Sequence, residues 1–177
     1  MTRTRPPRCA RSTTTTRSPT TGATSATTSS STRRGRSTRA WGDIGYHFLV
    51  DEKGEIYEGR YSGEGDTPAH DADGKVVTAF HVGGFNSGNL GISLLGNLTD
   101  QGPTAAARDA LTRLVKSLID FHKVDPEARI TYTNPLNGTK KEVYQISGHR
   151  DWMATECPGG AMYAELGALR KAVAGTG

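Results

Sequence analysis

The stretch DIGYHFLVDEKGEIYEGR, Asp43 to Arg60, is where the chain first reads as folded protein. Tyr46 to Val50 is an aromatic and β-branched run, Glu52-Lys53-Gly54 has the composition of a turn, and Ile56 to Glu58 resumes the apolar pattern. The three together predict a strand, a turn and a second strand. Apolar residues fall on both faces of the first run, which places it inside a sheet, not at its solvent edge.

Downstream, Tyr61 to Lys75 is rich in Gly, Asp and Pro and reads as a long loop. The segment VVTAFHVGGFNSG then carries a glycine-rich turn into NLGISLLGN, a short apolar run suited to a buried strand. Pro103 opens a helix in which Ala107, Ala110, Leu111, Leu114, Val115, Leu118 and Ile119 recur every three or four residues, leaving Arg108, Arg113, Lys116 and Asp120 toward solvent. ARITYTNPLNGTKKEVYQIS reads as a hairpin turning at Asn134 to Gly138, its second arm, Val143 to Ile146, running into a loop motif. A closing helix from Ala161 to Ala174 presents Tyr163, Leu166, Leu169 and Val173 on one face. Strands, helix, hairpin and helix in this order predict an α/β fold with a mixed central sheet flanked by helices.

Upstream of Trp41 the texture is different. Residues 1–40 contain no Leu, Ile, Val, Phe, Tyr or Trp, half are Ser or Thr, and nine are Arg. Such a segment cannot offset the entropy of ordering its backbone, so the organisation expected is a disordered segment, 1–40, and a folded domain, 41–177. The formal charge of +4 is a property of that segment. Thirteen of the 22 Lys and Arg, and all 18 Asp and Glu, follow residue 40, leaving about −5. An acidic domain argues against specific nucleic-acid binding. Two cysteines, Cys9 and Cys157, do not make a disulfide framework. No run reaches the apolar length of a membrane span, and the basic N-terminus lacks the apolar run of an export signal.

The chemistry concentrates in SGHRDWMATECPGG, Ser147 to Gly160. A histidine at the end of a strand and a cysteine in the following loop, His149 and Cys157, are donors suited to zinc, which in catalytic sites has three protein ligands and a water. By spacing alone, a buried cysteine beside an ordinary loop histidine is the commoner arrangement.

Three segments in order, WGDIGYHFLVDEKGEIYEGR, HVGGFNSGNLGISLLGN and SGHRDWMATECPGGAMY, resemble the peptidoglycan recognition proteins and the type 2 N-acetylmuramoyl-L-alanine amidases. The resemblance implies a Zn2+-dependent amidase that cuts the lactyl to L-alanine amide of peptidoglycan, in a secreted or cell-wall setting. By it, His149 and Cys157 match zinc ligands and Tyr46 the active-site tyrosine. Thr155 matches a position beside the metal, and His81, Gly84, Asn86 and Arg60 match residues lining the substrate cleft. A zinc-bound water near neutral pKa suits amide hydrolysis, with Tyr46 donating to the developing oxyanion and Thr155 orienting the water or carbonyl.

The same resemblance exposes a deficit. The family's first zinc ligand lies in a His-His-Thr strand ahead of the Trp-Gly-Asp segment, and here no histidine precedes His47. The first strand and the helix after it are missing too, which leaves sheet edge and apolar surface uncovered. Two readings stand. Residues 1–40 are translated out of frame, since ACC codons for Thr read as CAC, His, one base over, and STTTT at Ser12 to Thr16 would overlie His-His-Thr. Alternatively the chain is a noncatalytic peptidoglycan-binding protein. Among the other candidates, His47 points to the opposite face from Tyr46 and reads as structural, His70 and His122 read as solvated, Arg150 and Asp151 as pins for the loop, and Trp152 as an anchor or a glycan contact.

Overall fold

The computed structural model describes residues 43–62 and 67–175. The segment expected to be disordered lies outside them. The elements are β1 (Phe48–Val50), β2 (Ile56–Glu58), β3 (Ile92–Leu94), α1 (Ala105–His122), β4 (Arg129–Thr133), β5 (Lys140–Tyr144), α2 (His149–Trp152) and α3 (Gly160–Ala174).

β1 is the middle strand of a three-stranded sheet, antiparallel to β2 with Leu49 opposite Tyr57 and parallel to β3 with Leu49 opposite Ser93. Its interior place follows from its composition, and Phe48 and Val50 are buried. The strand is two residues shorter than its apolar run, but Tyr46 and His47 remain tied on both sides. Their carbonyls accept from Arg60 and Gly59, and the His47 amide donates to Gly91 O at 2.9 Å.

α1 starts where the sequence places it. Thr104 caps it, its hydroxyl oxygen accepting from the Ala107 amide at 3.1 Å, and the same hydroxyl donates to Glu52 O in the β1–β2 turn. That turn needs Gly54, at φ +83° with the Ala106 carbonyl so close that a Cβ would lie 2.6 Å from its oxygen. Ala107 and Ala110 let the helix lie close over Val50. Further along, Leu111, Val115 and Ile119 pack against Met162, Leu166, Leu169 and Val173 of α3, and Arg108 forks onto Glu165 with two 2.8 Å bonds. The buried face of α3 differs from the predicted one by a residue. Met162 is in the core, whereas Tyr163 is 36% exposed, its hydroxyl drawn outward to Asp151.

The hairpin β4–β5 pairs in register from Arg129 opposite Tyr144 to Thr133 opposite Lys140, ending earlier than its predicted second arm. Behind it Trp152, Val82 and Val143 form a small cluster with Phe85 and Tyr132. The mixed sheet is thus in two pieces, and among the described residues no strand pairs with the second edge of β3.

Between the pieces runs a cavity of about 640 Å3. Ile92, Ser93 and Leu94 wall one side and Gln145, Ile146 and Ser147 the other, with Leu111, Val115, Ile119, Met162, Leu166 and Leu169 as its floor. Among the described residues no element covers this edge and floor.

Candidate functional site

Four of the residues singled out in the sequence line one end of this cavity: Tyr46, His81, His149 and Cys157. Tyr46 immediately precedes β1, His81 comes from the glycine-rich loop before β3, His149 opens α2, and Cys157 follows α2.

Tyr46 stacks on His81 with ring centroids 5.5 Å apart, and its hydroxyl reaches the Cys157 side chain. Burial, then the proximity of Cys157, raises the Tyr46 pKa above the ordinary tyrosine value, so at neutral pH the group is a phenol with a proton to donate.

His81 is held from three directions. Its Nε2 donates to Asn89 O at 3.0 Å, its amide donates to Asn86 Oδ1 at 2.9 Å, and its ring lies flat on the backbone of Gly91. A Cβ at Gly91 would stand 2.5 Å from two ring atoms, so the contact requires glycine there. Burial first, with the nearby His47 and His149 adding to it, pushes the His81 pKa down to about 4, so the ring is neutral at pH 7. His47 plays the structural part read for it, fully buried, its Nε2 donating to Val77 O at 2.7 Å while Nδ1 accepts from the Gly91 amide at 3.0 Å.

The loop carrying His149 and Cys157 is pinned as the sequence suggests. Asp151 accepts from the Gly148 amide at 2.8 Å and from the Tyr163 hydroxyl. The Arg150 amide donates to Cys157 O at 3.1 Å, and its guanidinium lies over the Tyr163 ring. Trp152 is buried and donates from Nε1 to Ser147 Oγ at 3.0 Å, which makes it an anchor. Thr155 Oγ1 accepts from the Cys157 amide at 3.3 Å, so it shapes the cysteine loop from outside the cavity lining.

The other predicted residues are not brought to this end. Arg60 lies against Asp43 at 3.7 Å, bonds Thr78 O and covers the Phe80 ring. The side-chain oxygen of Asn86 is committed to the amides of His81 and Val82. Gly84, at φ +81°, accepts from Asn134 Nδ2 through its carbonyl. Asn86 and Gly84 therefore fix the loop that presents His81. Asn89 and Gly91, which orient that ring, were not singled out by sequence reasoning, although both lie in the segment that carries the resemblance.

His149 Nε2 is buried with no hydrogen-bond partner among the described residues, and Cys157 is a free thiol at the same cavity end. One imidazole and one thiol suit zinc, but among the described residues no group of three His, Cys, Asp or Glu is placed to hold a metal ion. They are therefore one donor short of a catalytic zinc set.

One sequence reading is overturned elsewhere. His70 is not solvated but fully buried against Phe121, and the half-buried His122 turns its Nε2 to that of His70 at 2.9 Å. With His70 Nδ1 donating to Pro68 O, His70 Nε2 is left to accept from His122, so the long loop latches onto the end of α1.

A sequence profile described as N-acetylmuramoyl-L-alanine amidase matches residues 6–160. Among curated proteins, the chain is 32% identical over 128 residues to peptidoglycan-recognition protein SD of Drosophila melanogaster, covering 72% of this chain and 53% of that protein. It is 31% identical over 131 residues to an N-acetylmuramoyl-L-alanine amidase of Homo sapiens, covering 74% of this chain and 18% of the other. The chain thus spans about half of the first relative and under a fifth of the second. Among solved structures, a tyrosine-to-phenylalanine variant of Drosophila PGRP-LB in complex with tracheal cytotoxin superposes with a TM-score of 0.51 at 28% identity, covering 72% of this chain and 59% of that one.

Proposed function

Because the chain belongs to the N-acetylmuramoyl-L-alanine amidase family, we propose that the cavity end formed by Tyr46, His81, His149 and Cys157 acts on peptidoglycan, hydrolysing the amide between the lactyl group and L-alanine of a muramyl peptide. The carrying observation is the convergence, from three separate segments, of a protonated phenol, a neutral imidazole, a histidine nitrogen without a partner among the described residues, and a free thiol. A superposable relative in complex with tracheal cytotoxin supports a muramyl-peptide ligand.

Zinc dependence is part of the proposal, with His149 and Cys157 as two of the ligands and a third donor from outside the described residues. When bound, the ion would supply Lewis acidity and an activated water. The chain's own contributions are separate from it. Tyr46 donates its proton as a hydrogen bond to charge developing on the carbonyl oxygen, Thr155 shapes the loop that holds Cys157, and Asp151 and Trp152 fix the segment from which His149 projects. Arg60, Gly84 and Asn86 support the cleft wall. The setting that fits this substrate is the cell wall or the medium around it, and among the described residues no helix is long and apolar enough to cross a membrane.

A second reading, a noncatalytic peptidoglycan-binding protein, is favoured by the two-donor count. Zinc content and muramoyl-alanine amidase activity of the purified chain, measured beside Cys157→Ala, separate the two. One zinc per chain with metal-dependent cleavage, both lost in the variant, supports the amidase. Substoichiometric zinc and no cleavage, with muramyl-peptide binding retained, establishes the binding protein.

A further inference from the structure

His70 and His122 take no part in the chemistry proposed above, yet their Nε2 atoms stand 2.9 Å apart. Ions of the zinc group bind imidazole nitrogen at about 2.0–2.1 Å, and two such bonds meeting at about 90–110° hold their nitrogens about 2.9–3.4 Å apart. The pair therefore has the bite of a chelate. His70 is also oriented as a metal-ligating histidine is: its Nδ1 donates to Pro68 O at 2.7 Å, a carbonyl contact that fixes the tautomer and leaves the Nε2 lone pair aimed at its partner. The ring is fully buried, and the backbone beneath it is tied, the His70 amide donating to Thr67 O at 3.2 Å and the residue bridging to Val76 across the loop. His122 is half-buried and, with Val76, lines the cavity, which opens on its side of the pair. Burial, then His70, lowers the His122 pKa, so at neutral pH that ring is uncharged, the form that ligates.

A second observation meets the first. Among the described residues, the two non-glycine residues at positive φ are Ala69, at +68°, and Lys123, which ends α1, at +53°, and each adjoins one of these histidines. Left-handed backbone is unfavourable for a residue with a Cβ, and it persists where a local arrangement over-determines it. We propose that His70 and His122 chelate one divalent ion of the zinc, nickel and copper group, water filling its other positions, and that the ion staples the loop carrying His70 to the end of α1. On binding, the His122 proton moves from Nε2 to Nδ1, so that each Nε2 presents a lone pair to the ion. Uncharged nitrogen donors do not suit Ca2+ or Mg2+, which take oxygen. Among the described residues no third His, Cys, Asp or Glu is grouped with the pair, which makes it a staple and not a catalytic centre.

The test uses the full chain carrying Cys9→Ser and Cys157→Ala, so that neither thiol competes for metal. Zn2+ is titrated in and followed by NMR of the histidine ring nitrogens and by thermal melts. The expected result is a saturable shift of the Nε2 resonances of both His70 and His122, with those of His47 unmoved. The melting temperature should rise by about 5 °C or more at about a hundredfold excess of zinc over Kd. Ca2+ and Mg2+ should do neither. His122→Gln keeps a side-chain N–H to donate to His70 Nε2, so it should melt like its parent without metal and bind zinc about tenfold or more weakly. No shift of the two Nε2 resonances up to about 1 mM zinc would reduce the pair to a hydrogen bond and overturn the proposal, as would a melting temperature that zinc raises equally in His122→Gln.

Discussion

The hydroxyl of Tyr46 and the side chain of Cys157, distant in sequence, meet at the end of the cavity, and the tyrosine ring is held there by its stack on His81. Tyr46→Phe keeps the stack and removes the proton. Muramyl-peptide affinity, by calorimetry, is expected to change less than about threefold. Amide cleavage, followed by chromatography of the released peptide, is expected to fall about a hundredfold. A matching collapse of affinity would mean that the hydroxyl holds the ground-state ligand and not the developing charge.

Gly91→Ala is expected to destabilise the chain by about 1–3 kcal/mol, because the new methyl and the His81 ring cannot share the space. Gly83→Ala, where a Cβ meets nothing within 4 Å, is the control and is expected to be near neutral. Urea midpoints compare them, and the His81 ring resonances should shift only in the first variant.

Acid should unfold this chain early. His81, His47 and His122 all have lowered pKa values in the folded state, with burial as the leading cause in each. Below pH 6.5 the unfolded chain binds more protons than the folded one, so stability is complete above that pH and falls as pH drops toward about 4. The His81 displacement alone corresponds to about 3 kcal/mol, reduced by its partial contact with solvent. Urea titrations at pH 7, 6, 5 and 4 measure the slope, and His81→Gln should flatten it. A slope unchanged in that variant would remove His81 from the account.

Asp151→Ala leaves the Gly148 amide and the Tyr163 hydroxyl without their acceptor. The expected cost is about 2 kcal/mol, with Tyr163→Phe costing about half as much. Hydrogen exchange in the segment from Gly148 to Cys157 should quicken in the first variant more than in the second.

What could be read ahead of the structure was local in sequence. The apolar faces of β1 announced an interior strand, the three-and-four spacing announced α1, and Asn134 to Gly138 announced the hairpin turn. His70 and His122 could not be read this way, because their contact joins a polar loop to a helix end and each looks solvated alone. The α3 face shifted from Tyr163 to Met162 because an amphipathic tyrosine follows its hydroxyl to Asp151, a partner that helical periodicity does not reveal. At the site, residue types nominated His149 and Cys157 and the family resemblance added Tyr46 and His81, but the role of Gly91 is steric and appears only when the His81 ring is seen packed on it.

The two separate sheet pieces bear on how the molecule opens. β1, β2 and β3 form one ladder and β4 and β5 another, and among the described residues no strand is hydrogen-bonded to both. Rupture of one ladder therefore does not oblige rupture of the other. The α1–α3 contacts back the first, whereas the smaller Trp152 cluster backs the second. The hairpin and the loop bearing His149 and Cys157 are thus a cooperative unit of lower opening free energy, and excursions that rearrange the site require no unfolding of the central strands.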